Sequence, residues 1–134
     1  MKFFAKIFAI FFILSLAPAF ARDKIDFDLT KTNPTFLYVQ VLNMLKEPKP
    51  YNGKTVRIRG AFEVHENEER RTYNCVVQDA TACCSQGLPF EMAENLNYPD
   101  DFPERGKMIT VTGKFRIFKE KGYSRIALVN AKFE

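Results

Sequence analysis

Three cysteines fall within ten positions of one another, at Cys75, Cys83 and Cys84. The residues around Cys75 alternate as in a strand, and a tight turn near Asp79 would return the chain antiparallel. In that register Cys75 faces Cys83 or Cys84, and directly paired residues have Cβ atoms about 5 Å apart. The spacing therefore predicts that the three sulfur atoms converge, close enough for a disulfide or for one shared metal ion.

A metal site is the first functional hypothesis for this cluster. Thiolate sulfur selects Zn²⁺ or Cu⁺, so Cys75, Cys83 and Cys84 are the predicted ligands. Adjacent cysteines diverge on an extended strand, so both can bind one ion only if they lie in a loop. Asp79 and Glu91 are possible additional ligands. The single histidine of the chain, His65, is expected at a solvated hairpin tip, about 13 Å from Cys75 at the usual strand rise.

Two other interpretations of the cysteines remain open. In an oxidising compartment Cys75 would form a disulfide with Cys83 or Cys84 and stabilise a binding module. Such a module would meet a protein or an envelope polymer through one barrel face, formed by Arg57, Arg59 and Tyr73. The odd cysteine count also leaves an unpaired thiol, which favours thiol redox chemistry at Cys83–Cys84 as a weaker alternative.

Other classes of function find little support in the sequence. The chain has no Gly-x-Ser-x-Gly motif, and one histidine at a hairpin tip gives a cysteine nucleophile no general base, so we expect a non-enzymatic protein. The arginines of the first predicted hairpin are balanced by Glu66, Glu68 and Glu69. That balance, together with export, argues against nucleic acid as a partner.

The elements that position the cysteines can be predicted from spacing. Asn33 and Pro34 are typical of a helix start, and Leu37, Val41 and Leu45 have helical spacing, which predicts one helix at about 34–46. Period-two alternation then indicates five strands, which begin near Val56, Tyr73, Leu88, Ile109 and Tyr123. Glycines inside the first and fourth of these strands favour strong bending. The prediction is an all-β fold, a small five-stranded OB-like barrel with one short N-terminal helix.

The first 21 residues differ from the rest. Lys2 and Lys6 precede an apolar run over 7–16, and Ala19-Phe20-Ala21 is typical of a signal-peptidase site. The run is shorter than the roughly 20 residues that cross a bilayer, so we expect cleavage and no stable membrane insertion afterwards. The predicted organisation is a signal peptide at 1–21, a polar lead-in at 22–33 and one OB-like domain at 34–134. The protein is expected in the periplasm of a Gram-negative host and otherwise outside the cell.

One segment carries a family resemblance. Cys83-Cys84-Ser85-Gln86-Gly87-Leu88-Pro89-Phe90 follows a strand that has its own cysteine. With the run Tyr51–Gly60 and the closing Gly122-Tyr123, this segment resembles small exported bacterial OB-fold-like proteins marked by Cys-Cys-x-x-Gly-hydrophobic-x-Phe. The resemblance covers about 46–133 and implies the fold and the export, while it transfers no ligand or reaction to the cysteines. A looser similarity to the cysteine-containing end of membrane-associated proteins suggests metal handling.

Overall fold

A computed structural model describes residues 24–134. The signal-peptide prediction at 1–21 lies outside the described residues. The predicted helix is confirmed as α1 (Pro34–Lys46), with Asn33 as its N-cap. The Asn33 side chain accepts a hydrogen bond from the Phe36 N–H at 2.8 Å, which satisfies a backbone donor that the first helical turn leaves unpaired. A short 3₁₀ turn (Lys49–Tyr51) follows the helix.

The rest of the described chain is mostly strand, which confirms the broad all-β prediction. The strands are β1 (Phe27–Asp28), β2 (Thr55–Glu66), β3 (Arg71–Gln78), β4 (Ser85–Met92), β5 (Met108–Glu120) and β6 (Tyr123–Phe133). Strand β1 was not predicted, because two residues are too few to show a period. It lies in the expected polar lead-in and pairs in parallel with the start of β2, and Leu29 after it is buried.

Five strands ring round the core. Neighbours in the sheet follow the order β2, β3, β4, β6 and β5, and β2 also pairs with β5. The last residues of β2 pair with β3 from Ala61 to Glu66, whereas its first residues pair with β5 from Thr55 to Ala61. Strands β4 and β6 pair in parallel. Because one half of β2 pairs with β5 and the other half with β3, β2 connects the two ends of the sheet.

Gly60 permits the close approach of β2 to β3. A Cβ atom at Gly60 would lie 2.6 Å from the Val76 carbonyl oxygen and 2.8 Å from the Cys75 sulfur. A similar but looser constraint holds at Gly113, where a Cβ atom would lie 3.0 Å from the Cβ of Leu128. The predicted special role of both glycines is thus explained by close packing, since neither has a positive φ.

The core fills the ring from the inward positions of the strands. Its largest fully buried side chains include Phe62, Phe90 and Phe115, and helix α1 packs over β3 and β4 with Val41 and Met44 inward. Buried aromatic side chains of this size supply much of the hydrophobic stabilisation of a small domain. Within the described residues, every helix is too short or too polar to span a bilayer.

Candidate metal centre

The connection between β3 and β4 holds Cys83 and Cys84. Gln78 pairs with Ser85 at the base of this loop. Inside it, the Asp79 N–H donates to the Cys84 carbonyl at 3.1 Å, and the Ala82 N–H donates to the Asp79 carbonyl at 3.0 Å. Ala82 has a φ of 56°, in the left-handed region that tight turns use. The two adjacent cysteines therefore lie in a folded loop, which meets the condition for both to bind one ion.

Asp79 organises this loop through its carboxylate. Its Oδ1 atom accepts hydrogen bonds from the Thr81 hydroxyl at 3.0 Å and from the Cys83 N–H at 3.2 Å. Its Oδ2 atom lies 3.5 Å from the Cys83 Sγ, and that sulfur lies 3.4 Å from the Cys84 Sγ. Ligand atoms of Asp79, Cys83 and Cys84 all lie within 4.8 Å of one another. One carboxylate oxygen and two sulfurs thus lie close together in the loop.

These separations can be compared with those that a tetrahedral ion imposes. With Zn–S bonds of about 2.3 Å and angles of about 110°, two sulfurs lie about 3.8 Å apart. A carboxylate oxygen at about 2.1 Å from the same ion lies about 3.6 Å from either sulfur. The observed distances are 3.4 Å between the sulfurs and 3.5 Å between oxygen and sulfur. Both separations are within a few tenths of an ångström of the tetrahedral values, and the remaining separation, between Asp79 and the Cys84 sulfur, is at most 4.8 Å.

The loop hydrogen bonds act on the protonation of its groups. Desolvation acts to raise the pKa of Asp79, but hydrogen bonds from the Thr81 and Cys83 side chains and from backbone N–H groups outweigh it, so the pKa is lowered. The pKa of the Cys84 thiol is raised, first by its contact with the Cys83 sulfur and further by the charge of that group, by desolvation and by Asp79. The carboxylate is therefore charged at neutral pH, while a thiolate on Cys84 is disfavoured without a nearby cation.

Cys75 lies apart from this loop, so the predicted convergence of three sulfurs is wrong. Its partner in β4 is Leu88 and its partner in β2 is Phe62. It is fully buried, while Cys83 and Cys84 are exposed. Burial raises the pKa of the Cys75 thiol to about 12, because no solvent stabilises the thiolate. The expected register assumed a tight turn, whereas the loop between β3 and β4 is longer, so Cys75 faces a strand residue beyond the cysteine pair.

Of the other candidate ligands, only Asp79 belongs to the cluster, as predicted. Glu91 lies in β4 and pairs with Arg125 at 2.7 Å, outside the cluster. His65 is exposed and pairs with Thr72 at the opposite end of β3 from Asp79. Six residues lie between Thr72 and Asp79, which corresponds to about 23 Å at the usual strand rise, so His65 is remote from the loop cluster. The expectation of a solvated histidine is confirmed, although the partner of Cys75 in β2 is Phe62, three positions from His65 and not four.

The proposed partner-binding face of Arg57, Arg59 and Tyr73 is also not formed. Tyr73 pairs with the inward residue Val64 and stacks on Phe102 with 4.3 Å between ring centroids, so it faces the core. Arg57 and Arg59 alternate with the buried positions of β2 and point outward. Arg57 pairs with Glu134 at 2.5 Å and with Asp28 at 3.3 Å. Strand alternation thus places Tyr73 on the opposite side of the sheet from both arginines.

Arg59 instead lines a groove that reaches the cluster. This groove has a volume of about 750 Å³, and Leu37, Met108 and Asp79 also line it. It opens where the pairing of β2 with β3 stops at Ala61 and Val76. Asp79 therefore borders both the groove and the cysteine loop.

Thr81 is the loop residue that the sequence reasoning missed. Its hydroxyl donates to Asp79, which orients the carboxylate toward the sulfurs. The signal was present as Asp79-Ala80-Thr81, since aspartate followed closely by threonine is typical of turns held by side-chain hydrogen bonds.

Comparisons with family models, with curated proteins and with solved structures found no match for this chain. The resemblance to exported OB-fold-like proteins therefore remains a prediction. The site is a loop cluster of two thiols and one carboxylate.

Proposed function

We propose that the protein binds a zinc ion through Asp79, Cys83 and Cys84. The observation that carries the proposal is the convergence of three ligand atoms within 4.8 Å of one another. The two sulfurs lie 3.4 Å apart and one oxygen–sulfur pair lies 3.5 Å apart, near the spacing of a tetrahedral zinc shell. Zinc is favoured over copper because a carboxylate oxygen is a poor ligand for Cu⁺, which selects sulfur. Binding of Cu⁺ by the two sulfurs alone is the second possibility that this ligand set allows.

The proposed role is reversible metal binding, with no catalytic step. Structural zinc sites are closed by four protein ligands, whereas this cluster offers three from a loop with both cysteines exposed. A fourth position is thus left to water or to a donor from a partner, such as an envelope protein approaching through the groove. An ion held in this way exchanges more readily than one enclosed in a core, as metal delivery or buffering requires.

The proposal also includes a fold and a location for the protein. We infer an OB-type barrel, supported by the return of β5 to β2 and by the parallel pairing of β4 with β6. Export is supported by the sequence pattern of residues 1–21. An exported zinc-binding domain of this kind acts in the periplasm or outside the cell.

Metal titration of the reduced protein tests the proposal. Residues 22–134 are prepared metal-free with a thiol-protecting phosphine, then titrated with Co²⁺ as a spectroscopic substitute and with Zn²⁺ against a chromophoric chelator. We expect one ion per chain, with sulfur-to-cobalt charge-transfer bands and tetrahedral ligand-field bands.

Single substitutions assign the ligands. Cys83→Ser and Cys84→Ser should each abolish the charge-transfer band from the sulfur that is removed. Each should also weaken zinc binding by more than about tenfold, because losing a residue that only hydrogen-bonds to a metal ligand already weakens binding by about that factor. Asp79→Asn should weaken binding while both sulfur contributions remain. Cys75→Ala is the matched control, a thiol removed from the core, and should bind as the unsubstituted protein does. A folded unsubstituted protein that binds neither ion would refute the proposal.

A further inference from the structure

The two exposed thiols also have the arrangement of a redox pair. Cys83 Sγ and Cys84 Sγ lie 3.4 Å apart, in contact before any bond is formed. The third thiol, Cys75, is fully buried and faces Phe62 and Leu88. An oxidant arriving from solvent therefore meets only the adjacent pair.

We propose that Cys83–Cys84 is a site of reversible oxidation, in which a disulfide between the adjacent cysteines forms and releases the metal. The metal-release half of this inference rests on the proposed function, whereas the disulfide itself does not. The oxidant is a small disulfide, R–S–S–R. One cysteine thiolate attacks it, giving a mixed disulfide and expelling R–S⁻. The neighbouring thiolate then displaces the second R–S⁻, so two electrons pass from the cysteine pair to the oxidant.

The loop geometry favours formation of this disulfide. The loop already bends at Ala82, with its φ of 56°, and it holds the two sulfurs on the same side of the chain. Closing the bond replaces the contact of the Cys83 Sγ with Asp79 Oδ2, and it removes both thiolates from the ligand set. Zinc then keeps only the carboxylate, which is a weak monodentate site. Oxidation and metal binding are thus mutually exclusive.

Adjacency also makes the bond easy to reduce. Neighbouring Cα atoms are about 3.8 Å apart across a trans peptide, whereas ordinary disulfides span about 4.4–6.8 Å between Cα atoms. Strained disulfides have more oxidising potentials than structural ones and return to thiols readily. The pair therefore cycles between the two states, which a structural cross-link does not do.

Oxidised glutathione is the probe for the test. Zinc-loaded protein is incubated with it, and released zinc is followed with a chromophoric indicator while intact mass is recorded. Cleavage before Asp79 separates Cys75 from the pair, so the peptide that begins at Asp79 reports the bond directly. We expect this peptide to lose two hydrogen atoms, zinc to be released in step with that loss, and reduced glutathione alone to restore both.

Two variants complete the design. Cys75→Ala should behave as the unsubstituted protein does. Cys83→Ser should stop at a stable glutathione adduct on Cys84, because the displacing thiol is gone. A persistent adduct on the unsubstituted protein, a bond to Cys75 or a disulfide-linked dimer would overturn the inference. If the disulfide forms but the reduced protein never binds zinc, the proposed function fails while the redox pair stands. If zinc binds but oxidation leaves it in place, the switch fails.

Discussion

The placement of Cys75 in the core predicts how stability depends on pH. The pKa of its thiol is raised from 9.0 to about 12 in the folded state by burial, so the folded protein keeps a proton that the unfolded chain releases. A raised pKa contributes stability that is complete below the unfolded value and is lost as pH rises toward the folded value. The loss should therefore begin near pH 9 and continue up to about pH 12.

The magnitude follows from proton linkage. A pKa difference of one unit corresponds to about 1.36 kcal/mol, so the loss attributable to Cys75 is about 0.4 kcal/mol at pH 9 and about 1.4 kcal/mol at pH 10. In Cys75→Ala this contribution is absent. The substitution itself costs about 1 kcal/mol at neutral pH through lost core contacts. The stability advantage of the unsubstituted protein should fall from about 1 kcal/mol to about 0.6 kcal/mol at pH 9, and at pH 10 the variant should be more stable by about 0.4 kcal/mol.

Urea unfolding of both proteins between pH 7 and pH 10 measures this advantage. A phosphine reductant keeps the thiols reduced, and a chelator removes metal, so that Cys83 and Cys84 contribute equally to both proteins. Tyrosine and lysine ionisation cancels in the difference for the same reason. An advantage that stays constant to pH 10 would mean that Cys75 ionises in the folded protein as it does in the unfolded chain. The thiol would then be accessible, and the placement of Cys75 in the core would be refuted.

Three further substitutions test the close contacts of β2 and of the loop. Gly60→Ala should lower the free energy of unfolding in urea by about 2–3 kcal/mol, because its Cβ atom would lie 2.6 Å from the Val76 carbonyl oxygen. Gly87→Ala is the control and should lower it by less, since the nearest neighbour of its Cβ atom would be a side-chain atom at 3.3 Å. An equal loss of stability in both variants would contradict this explanation. Thr81→Val removes the hydroxyl that orients Asp79 and should lower zinc affinity about tenfold with little change in unfolding free energy; unchanged affinity would show that the carboxylate needs no such support.

Local chemistry was enough to predict most elements of the fold. Asn33 and Pro34 mark the start of α1 because they satisfy the requirements of a first helical turn. Strong alternation fixes β2 and β5, whose inward positions are almost all apolar, and Gly60 marks the point where β2 approaches β3. Strand β1 was not predicted because its two residues show no period. It forms only by pairing with β2 in the completed sheet.

The register of β3 and β4 could not be predicted, and the site depended on it. Alternation is clear up to Val77 and resumes at Leu88, but Ser85-Gln86-Gly87 between them gives no periodic signal. Nothing local therefore sets where the turn ends and β4 begins. The assumption of a tight turn placed Cys83 and Cys84 opposite Cys75, while the actual loop moves them beyond the end of the pairing. A shift in loop length moves every cross-strand partner by the same amount.

Strand alternation nevertheless explains why one of the three thiols is buried and the other two are exposed. Tyr73, Cys75 and Val77 share one face of β3. This face is turned toward the core because the residues on either side of Cys75 on it are a tyrosine and a valine. A thiol on such a face is enclosed whatever the length of the next loop, so Cys75 packs as a small apolar side chain. Cysteines outside the alternation can be exposed to solvent, as Cys83 and Cys84 are. The exposed thiols therefore lie in a loop organised by the Asp79 carboxylate, and the cysteine of β3 belongs to the core that supports this loop.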